Sequence, residues 1–246
     1  MIYYFSGNGN SRWVAEEIAS ATNDMVENIA EYIKGHVISQ VPDTEDTVGI
    51  VFPIHSWYAP RPVIDFLADL EIPPGAYCYI VCTCGDDVGK GMQRLAKHFD
   101  FDAVWSVVMP ETYIPMFDLD TEEGAKAKIE QARKRIDTIV DNIDNKRHIW
   151  DVKEGGFAWF KTYIINPLFV NLIIRSKGFH IEGNCTSCGV CRDICPMGNI
   201  KITHGHPVWS NKCIHCMGCI NSCPQHIIQY RKATRKRGRY RLKKYL

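Results

Sequence analysis

The chain has 246 residues, of which 46% are hydrophobic, and its 29 Lys and Arg residues nearly balance 28 Asp and Glu residues. This apolar fraction is enough for a packed core, which excludes a wholly disordered chain, and the length suits one large domain or two smaller ones. The balance hides an asymmetry, because residues 1–156 have a net charge of −12 and residues 157–246 a net charge of +13. Charged partners are therefore not excluded.

The first 150 residues alternate short apolar runs with amphipathic stretches. Strands are predicted at residues 2–5, 25–29, 48–54, 76–83 and 103–109. Helices are predicted at residues 11–21, 61–70, 88–99 and 121–143. Because this alternation produces right-handed crossovers and a parallel sheet covered on both faces, residues 1–150 are predicted to form a five-stranded, doubly wound α/β domain.

The loop after the first predicted strand is rich in small polar residues. It consists of Ser6, Gly7, Asn8, Gly9, Asn10 and Ser11. The glycines permit a tight turn, and the hydroxyl, amide and backbone N–H groups before a helix form an anion cradle. The loop lacks the Lys of a P-loop and the third Gly of a dinucleotide fingerprint, which disfavours ATP and NAD. A plain Asn/Gly turn is the alternative interpretation.

Two further loops follow the third and fourth predicted strands. They contain Pro53, His55, Ser56 and Trp57, and then Cys84, Gly85, Asp86, Asp87 and Gly89. Because ligands of doubly wound sheets bind at the carboxyl ends of the strands, all three loops are expected to form one pocket. The alternatives are a partly buried surface role for Trp57 and helix capping by Asp86 and Asp87. Residues 109–113 are expected either to rim this pocket or to act as a connector.

Residues 151–180 are predicted to be a helical connector. Within them, the apolar stretch at residues 156–180 is interrupted by Lys161, Asn166, Pro167 and Asn171. No clean apolar run of about 18 residues exists, which argues against a membrane span. We therefore expect helices packed against the domains.

The composition changes abruptly at Cys185. Two units of the form C-x-x-C-x-x-C-x-x-x-C-P are displaced by 28 residues, with cysteines at 185, 188, 191 and 195 and again at 213, 216, 219 and 223. Three thiols at equal gaps plus Cys-Pro are typical of iron–sulfur sites, whereas zinc sites usually pair two C-x-x-C knuckles across a long loop. The repeat predicts two [4Fe-4S] clusters in a small α+β domain at residues 181–230, with two zinc sites as the alternative. Because the first residues form a predicted strand rather than a secretory signal, we expect a cytoplasmic protein in which these thiols bind metal.

The cysteine spacing resembles that of two-cluster bacterial ferredoxins, in which the fourth Cys of each unit ligates the other cluster. This resemblance implies one cluster on Cys185, Cys188, Cys191 and Cys223 and another on Cys213, Cys216, Cys219 and Cys195. The histidines of this region are expected at the surface or behind the ligands rather than as ligands, namely His204, His206, His215 and His226. Residues 206–209 are expected to form the turn between the units.

The C-terminal tail at residues 231–246 carries nine Lys or Arg residues and no acidic residue. Nucleic acid or anionic lipid would suit this charge. No recognised nucleic-acid fold accompanies it, so we favour docking on an acidic surface, either the protein's own first domain or a redox partner protein. Neither a nucleic-acid partner nor a membrane span is predicted.

The loop Phe5-Ser6-Gly7-Asn8-Gly9-Asn10-Ser11 resembles the FMN-phosphate loop of flavodoxins, T-x-T-G-x-T, with Asn8 in place of the central hydroxyl residue. The other two loops match the strand ends that hold the isoalloxazine in flavodoxins. As a whole, the chain resembles the flavodoxin/ferredoxin fusion proteins of anaerobic bacteria and archaea. This resemblance implies a flavodoxin-like FMN domain, a ferredoxin domain with two [4Fe-4S] clusters, and electron transfer as the function.

The sequence therefore predicts a redox carrier, or a converter between one- and two-electron transfer, that links FMN, the clusters and an external carrier. One alternative is a flavin-dependent reductase of a small substrate that receives electrons from the clusters. No catalytic residue is assigned for it, and His55 is its candidate general acid. Another alternative is a ferredoxin subunit whose flavodoxin-like domain is an empty scaffold.

Overall fold

A parallel sheet forms the first part of the computed structural model, which describes residues 1–36 and 40–246. Its strands are β1 (Ile2–Tyr4), β2 (Val26–Asn28), β3 (Thr47–Pro53), β4 (Tyr77–Cys84), β5 (Ala103–Val108) and β6 (Trp150–Asp151). They are arranged in the order β2-β1-β3-β4-β5-β6. The order of the first five is that of flavodoxin-like doubly wound sheets, so the predicted fold class is confirmed.

The prediction of five strands is wrong by one edge strand. The sheet has a sixth strand, β6, which pairs with β5 through only two residues, Trp150 and Asp151. Two residues are too few to produce an alternating pattern in the sequence. The five predicted strands agree with the observed ones to within one residue at each end.

Helices cover both faces of the sheet. They are α1 (Asn10–Thr22), α2 (Ile29–Ile33), α3 (Arg61–Asp69), α4 (Gly91–Leu95) and α5 (Glu122–Asp144). The core on one face contains residues of α1 and α5, and the core on the other contains residues of α2, α3 and α4. The predicted helix at 88–99 is wrong in length. The backbone N–H groups of Val88 and Lys90 donate instead to Lys153 O and Thr162 Oγ1, both at 2.9 Å, so regular helix begins only at Gly91.

The connector contains three consecutive helical segments: α6 (Ala158–Phe160), a π-helical turn (Lys161–Ile165) and α7 (Asn166–Leu172). The connector packs on the first domain, as expected, but it does so through polar side chains. The buried side chains are the polar ones of Thr162 and Asn166, whereas Phe157 is 86% exposed and Leu172 65% exposed. Thr162 Oγ1 accepts from Lys90 N and donates to Trp57 O, and Asn166 Oδ1 accepts from Arg94. In the ranges 1–36 and 40–246, no helix is both long and apolar enough to cross a membrane.

The cysteine repeat forms a small α+β unit. It contains β7 (Phe179–Ile181), α8 (Val190–Asp193), β8 (Ile200–Thr203), β9 (His206–Trp209), α9 (Gly218–Ser222) and β10 (Ile228–Tyr230). β7 pairs with β10 and β8 pairs with β9, both antiparallel. Residues 206–209 are therefore a strand and not the predicted turn, because the chain reverses at His204 and Gly205. The limits of the domains, at residues 150, 180 and 230, stay predictions.

The basic tail lies on the first domain. Tyr240 and Tyr245 are buried in the core that contains α1 and α5. Lys244 Nζ is 2.8 Å from a carboxylate oxygen of Glu122, at the start of α5, and Arg237 pairs with Asp118. Of the acidic surfaces considered for the tail, the structure thus places it on the protein's own.

Candidate functional site

A cavity of about 550 Å³ lies at the carboxyl edge of the parallel sheet, where the three predicted loops converge. Its wall includes Ser6, Gly7, Asn8, Asn10, Ser11, Pro53, His55, Ser56, Trp57, Cys84, Gly85 and Asp86. Of the residues predicted for this pocket, Gly9 and Gly89 lie outside the wall. Doubly wound sheets bind their ligands at this edge.

Gly9 and Gly89 have structural positions instead. Gly9 has a φ of 98°, which a residue with a side chain rarely adopts, and this turn starts α1 beside Leu242 of the tail. Gly89 approaches Thr162 so closely that a Cβ atom would lie 2.5 Å from its Oγ1. Both glycines therefore shape the loops without forming the cavity surface.

The first loop presents the N-terminus of α1 to the cavity. The first regular hydrogen bond of the helix joins Trp13 N to Gly9 O at 2.9 Å, so the N–H groups of Asn10, Ser11 and Arg12 have no partner inside the helix. Ser11 Oγ is 2.8 Å from Thr83 Oγ1, at the end of β4. This arrangement suits a phosphate group, because the helix terminus attracts negative charge.

The two asparagines of this loop connect it to the rest of the chain. Asn8 Nδ2 donates to Cys216 O at 2.5 Å, and Asn8 Oδ1 accepts from Asn221 Nδ2 at 2.9 Å. Asn10 Oδ1 accepts from the hydroxyl of Tyr240 at 2.6 Å. Asn8, which departs from the flavodoxin pattern, thus uses both ends of its amide to contact the cysteine repeat.

The loop after β3 places an aromatic ring and an imidazole in the cavity wall. Ser56 and Trp57 have φ values of 50° and 63°, and Nζ of Lys161 lies 5.4 Å from the centre of the Trp57 ring. Ser56 Oγ is buried and has no hydrogen-bond partner among the described residues. Burial, followed by the proximity of His215, lowers the pKa of His55 to about 4, so His55 is neutral at pH 7.

The loop after β4 is held by two lysines. Lys153 Nζ lies 2.5 Å from Asp86 Oδ1, and Lys161 Nζ lies 2.6 Å from Asp87 Oδ2. Asp87 Oδ1 also accepts from Gly89 N at 3.2 Å, which resembles the capping role considered for it. Burial raises the pKa of Cys84 to about 12, so this thiol stays protonated and is not a reactive nucleophile at neutral pH.

Several wall residues were not predicted. They come from distant parts of the chain: Met116, Phe117, Lys161, Ile165, Phe169, Ile174, Ile214, His215 and Cys216. Residues 109–113, which were expected either to rim the pocket or to act as a connector, also line it. His215 is not at the surface, since it is 3% exposed and lies between Tyr113 Oη, 3.2 Å from Nδ1, and Arg175 N, 3.1 Å from Nε2. No local pattern indicated these residues, because only tertiary contact brings the connector and the repeat to this edge.

The eight thiols of the repeat fall into two groups. Cys191 lies within electrostatic range of Cys185, Cys188 and Cys223. Cys219 lies within range of Cys195, Cys213 and Cys216. The two groups have the same members as the predicted ligand sets, with Cys195 and Cys223 exchanged between the units.

The surroundings of both groups suit an iron–sulfur cluster. All four thiols of the first group line one small cavity whose other walls include Ile181, Pro207 and Ile227. In both groups, backbone N–H groups point at the sulfur atoms. Ser187 N and His215 N lie 3.4 Å from Cys185 Sγ and Cys213 Sγ, and Asn199 N lies 3.3 Å from Cys195 Sγ. Thiols in an apolar cavity, with N–H donors, are the donor set that such clusters use.

The second group adjoins the large cavity. Cys216 belongs to this group and also lines the cavity at the sheet edge. The contact is close, because a Cβ atom on Gly7 would lie 2.5 Å from Cys216 Cβ and one on Gly218 would lie 2.6 Å from Gly7 O. Cys216 is therefore shared by the two candidate cofactor sites.

Residues 184–228 match the protein family described as the 4Fe-4S dicluster domain. This match confirms the prediction of a ferredoxin-type 4Fe-4S domain. No curated protein matches the chain.

Among solved structures, the chain is similar to a putative flavoprotein from Bacteroides eggerthii, with 17% identity over 58% of this chain and 96% of that one and a TM-score of 0.40. It is also similar to an FMN-dependent NADH-azoreductase from Bacillus anthracis, with 10% identity over 57% and 97% and a TM-score of 0.38. Rubredoxin oxygen:oxidoreductase from Desulfovibrio gigas shares 15% identity over 59% of this chain and 36% of its own, with a TM-score of 0.35.

Proposed function

We propose that this protein transfers electrons between two [4Fe-4S] clusters and an FMN bound in the cavity at the sheet edge, and that it serves as a redox carrier or as a converter between one- and two-electron transfer. The observation that supports this most is the position of Cys216, which belongs to one thiol group and lines the cavity. Clusters supply one-electron transfer, and a flavin supplies one- or two-electron transfer. The protein contributes their placement.

Different cavity residues bind different parts of FMN. The N-terminus of α1, with Ser6 and Ser11, binds the phosphate. Trp57 provides an aromatic face for the ring system, and Ser56 Oγ, buried without a partner among the described residues, provides a hydrogen bond. Neutral His55 lines the cavity without adding a charge there.

The thiol groups differ in access. Cys188 of the first group is exposed, whereas Cys216 of the second group faces the cavity. An external redox protein therefore meets the first group, and the flavin site meets the second. In this arrangement one electron at a time passes between an external one-electron carrier and the cavity through both groups.

The test begins with protein purified without oxygen. We expect about eight irons, about eight acid-labile sulfides and one FMN per chain, with flavin absorbance that responds when the clusters are reduced. A protein with about eight irons that neither contains nor binds FMN would show that the flavodoxin-like domain is a scaffold. Zinc in place of iron would overturn the cluster assignment.

A second candidate function is reduction of a small apolar substrate. The cavity extends past the three loops to Met116 and Phe117, which are 57% and 50% exposed, and to Phe169 of the connector. Apolar walls beside a flavin site suit a substrate with an unsaturated or aromatic group. Screening such compounds for faster reoxidation of the reduced flavin separates this function from that of a carrier, which would be reoxidised only by redox proteins.

A further inference from the structure

Two residues beside the second thiol group have N–H donors that their counterparts in the repeat lack. The displacement of 28 residues matches Trp209 with Ile181 and Asn199 with Ile227. Ile181 and Ile227 line the cavity of the first thiol group, where their side chains offer no polar atom. The duplicated units therefore differ in the side-chain donors available to sulfur.

The amide of Asn199 is held in one orientation. Its Oδ1 accepts from Lys212 N at 2.7 Å, while its own backbone N–H points at Cys195 Sγ from 3.3 Å. Asn199 is 1% exposed, and its Nδ2 has no hydrogen-bond partner among the described residues. Because Lys212 N is a donor, the nitrogen end of the amide must be the end without a partner. A buried N–H donor without an acceptor is costly, which indicates that a bound group completes it.

The indole of Trp209 is a second buried N–H donor without a hydrogen-bond partner among the described residues. Its ring stacks on Phe179 with centroids 5.7 Å apart, which fixes its plane. Its Nε1 is buried and has no hydrogen-bond partner in the part of the chain that the structure describes. Trp209 packs against the buried core that contains Cys195 and Cys219 of the second thiol group. Like the amide of Asn199, this buried donor beside the thiols indicates a bound group that completes it.

We propose that the side-chain N–H groups of Trp209 and Asn199 donate hydrogen bonds to sulfur atoms of the cluster held by Cys195, Cys213, Cys216 and Cys219, and thereby raise its reduction potential. Reduction adds one electron and makes the sulfur atoms more negative, so a donor stabilises the reduced state more than the oxidised state. The proposal deepens the proposed function and rests on it, because it assigns residues that tune the cluster beside the FMN cavity.

The first thiol group has a different neighbour. The guanidinium of Arg239 lies within electrostatic range of Cys223, and its Nε is buried without a partner among the described residues. Its two terminal nitrogens donate to carbonyl groups that include Thr234 O and Ile228 O. One cluster therefore lies near a cation and the other near two neutral donors, and removal of the neutral donors acts on one cluster alone.

The experiment uses full-length protein carrying both clusters, titrated anaerobically with dithionite and followed by electron paramagnetic resonance. Trp209→Phe and Asn199→Leu each remove one donor. The matched controls Ile181→Phe and Ile227→Leu place the same side chains in the first unit. For each donor removed, we expect the equilibrium constant for reducing one cluster to fall about tenfold, which is 59 mV for one electron.

The affected cluster must be the same in both donor variants, and it must be the one lost in Cys216→Ala. Unchanged midpoint potentials in both donor variants, with full iron content, would overturn the proposal, and so would equal shifts in the controls.

If a variant fails to assemble its clusters, wild-type protein with ¹⁵N-labelled tryptophan decides the role of Trp209. Hyperfine coupling of an indole nitrogen to the reduced cluster supports the proposal, and no coupling overturns it. These readouts do not require FMN, so failure of flavin binding is distinguishable from failure of this inference.

Discussion

The two cysteine units share one spacing but occupy different environments. In the first unit, Thr186 and Ser187 are exposed. Their counterparts 28 residues later, Ile214 and His215, both line the cavity at the sheet edge, and His215 is 3% exposed. Equal spacing gives both units the same ligand geometry, and the residues between the cysteines decide what each unit contacts.

The short helices of the two units, α8 and α9, also differ in how exposed their matched residues are. Val190 in α8 is 38% exposed, whereas Gly218 in α9 packs on the backbone of Gly7. Asp193 is exposed, whereas Asn221 is 2% exposed and bonds to Asn8. The second unit has therefore become an interface with the loop of the candidate flavin site, while the first unit remains open to partners. The following predictions test this asymmetry.

The largest effect is expected from Cys216→Ala, compared with Cys188→Ala. Each removes one ligand, so each should lower the iron content by about four atoms per chain. Cys216→Ala should abolish electron exchange between FMN and the remaining cluster, whereas Cys188→Ala should preserve exchange through the cluster beside the cavity. Iron analysis and stopped-flow absorbance measure both results. The reverse pattern would contradict the assignment of the second unit to the flavin side.

A smaller but substantial effect is expected from Gly218→Val, which gives the second unit the residue of the first. The new Cβ would lie 2.6 Å from Gly7 O, a backbone atom that cannot move freely. Such overpacking typically lowers the free energy of unfolding by about 1–3 kcal/mol. Val190→Ala, at the exposed matched position, should change it by less than about 0.5 kcal/mol. Urea denaturation under anaerobic conditions compares them, and equal losses would remove the distinction between the units.

Asn221→Ala should destabilise the protein because it leaves buried partners unsatisfied. Asn221 Nδ2 donates to Asn8 Oδ1 at 2.9 Å, and Asn221 Oδ1 accepts from Tyr240 N at 3.2 Å. Loss of such bonds costs about 1–3 kcal/mol. The matched Asp193→Ala removes only an exposed pair with Arg192, so it should have little effect. The same denaturation measurement applies, and a neutral Asn221→Ala would show that these bonds do not hold the interface.

The smallest effect is expected on the pKa of Glu122, which pairs with Lys244 of the C-terminal tail. Hydrogen bonds from Lys244 and then Lys126 lower the pKa of Glu122 from 4.5 to about 2. Because the folded-state pKa is the lower one, this contribution to stability is present above pH 4.5 and is lost as the pH falls toward 2. Lys244→Ala should move the pKa of Glu122 toward 4.5, as measured by NMR titration.

Lys243→Ala is the control for the tail, since the ion pairs of the described residues do not include Lys243. It should leave the Glu122 titration unchanged. The shift in Lys244→Ala should also shrink as ionic strength rises, because both partners are exposed. A Glu122 titration that is identical in both variants would show that the Lys244–Glu122 ion pair does not help to hold the tail.

Local patterns predicted the sheet well because each strand is a short, continuous apolar run. They failed where neighbours far along the chain decide the outcome. The helix after β4 shrinks to five residues because Thr162, 72 residues away, takes the N–H of Lys90. The polar face of the connector is buried for the same reason, since Thr162 and Asn166 find partners on the first domain.

The candidate site shows the same division. The three loops were predicted because every parallel strand ends at the same edge of the sheet. The role of Asn8 was not, since its partners Cys216 and Asn221 lie more than 200 residues away. Lys161 was also missed, although it pairs with the buried Asp87, because a lysine in a helical stretch carries no indication of a distant carboxylate.

The sequence by itself determined the α/β alternation, the loops at the strand ends and the 4Fe-4S repeat, because these depend on periodicity and on spacing within short segments. Only the tertiary structure decided that the second cysteine unit packs on the first loop, that the tail covers α1 and α5, and that two buried N–H donors beside this unit have no partner among the described residues. These features depend on which surfaces meet. Two units of identical spacing can therefore differ in environment, since burial and hydrogen bonding are set by contacts across the whole chain.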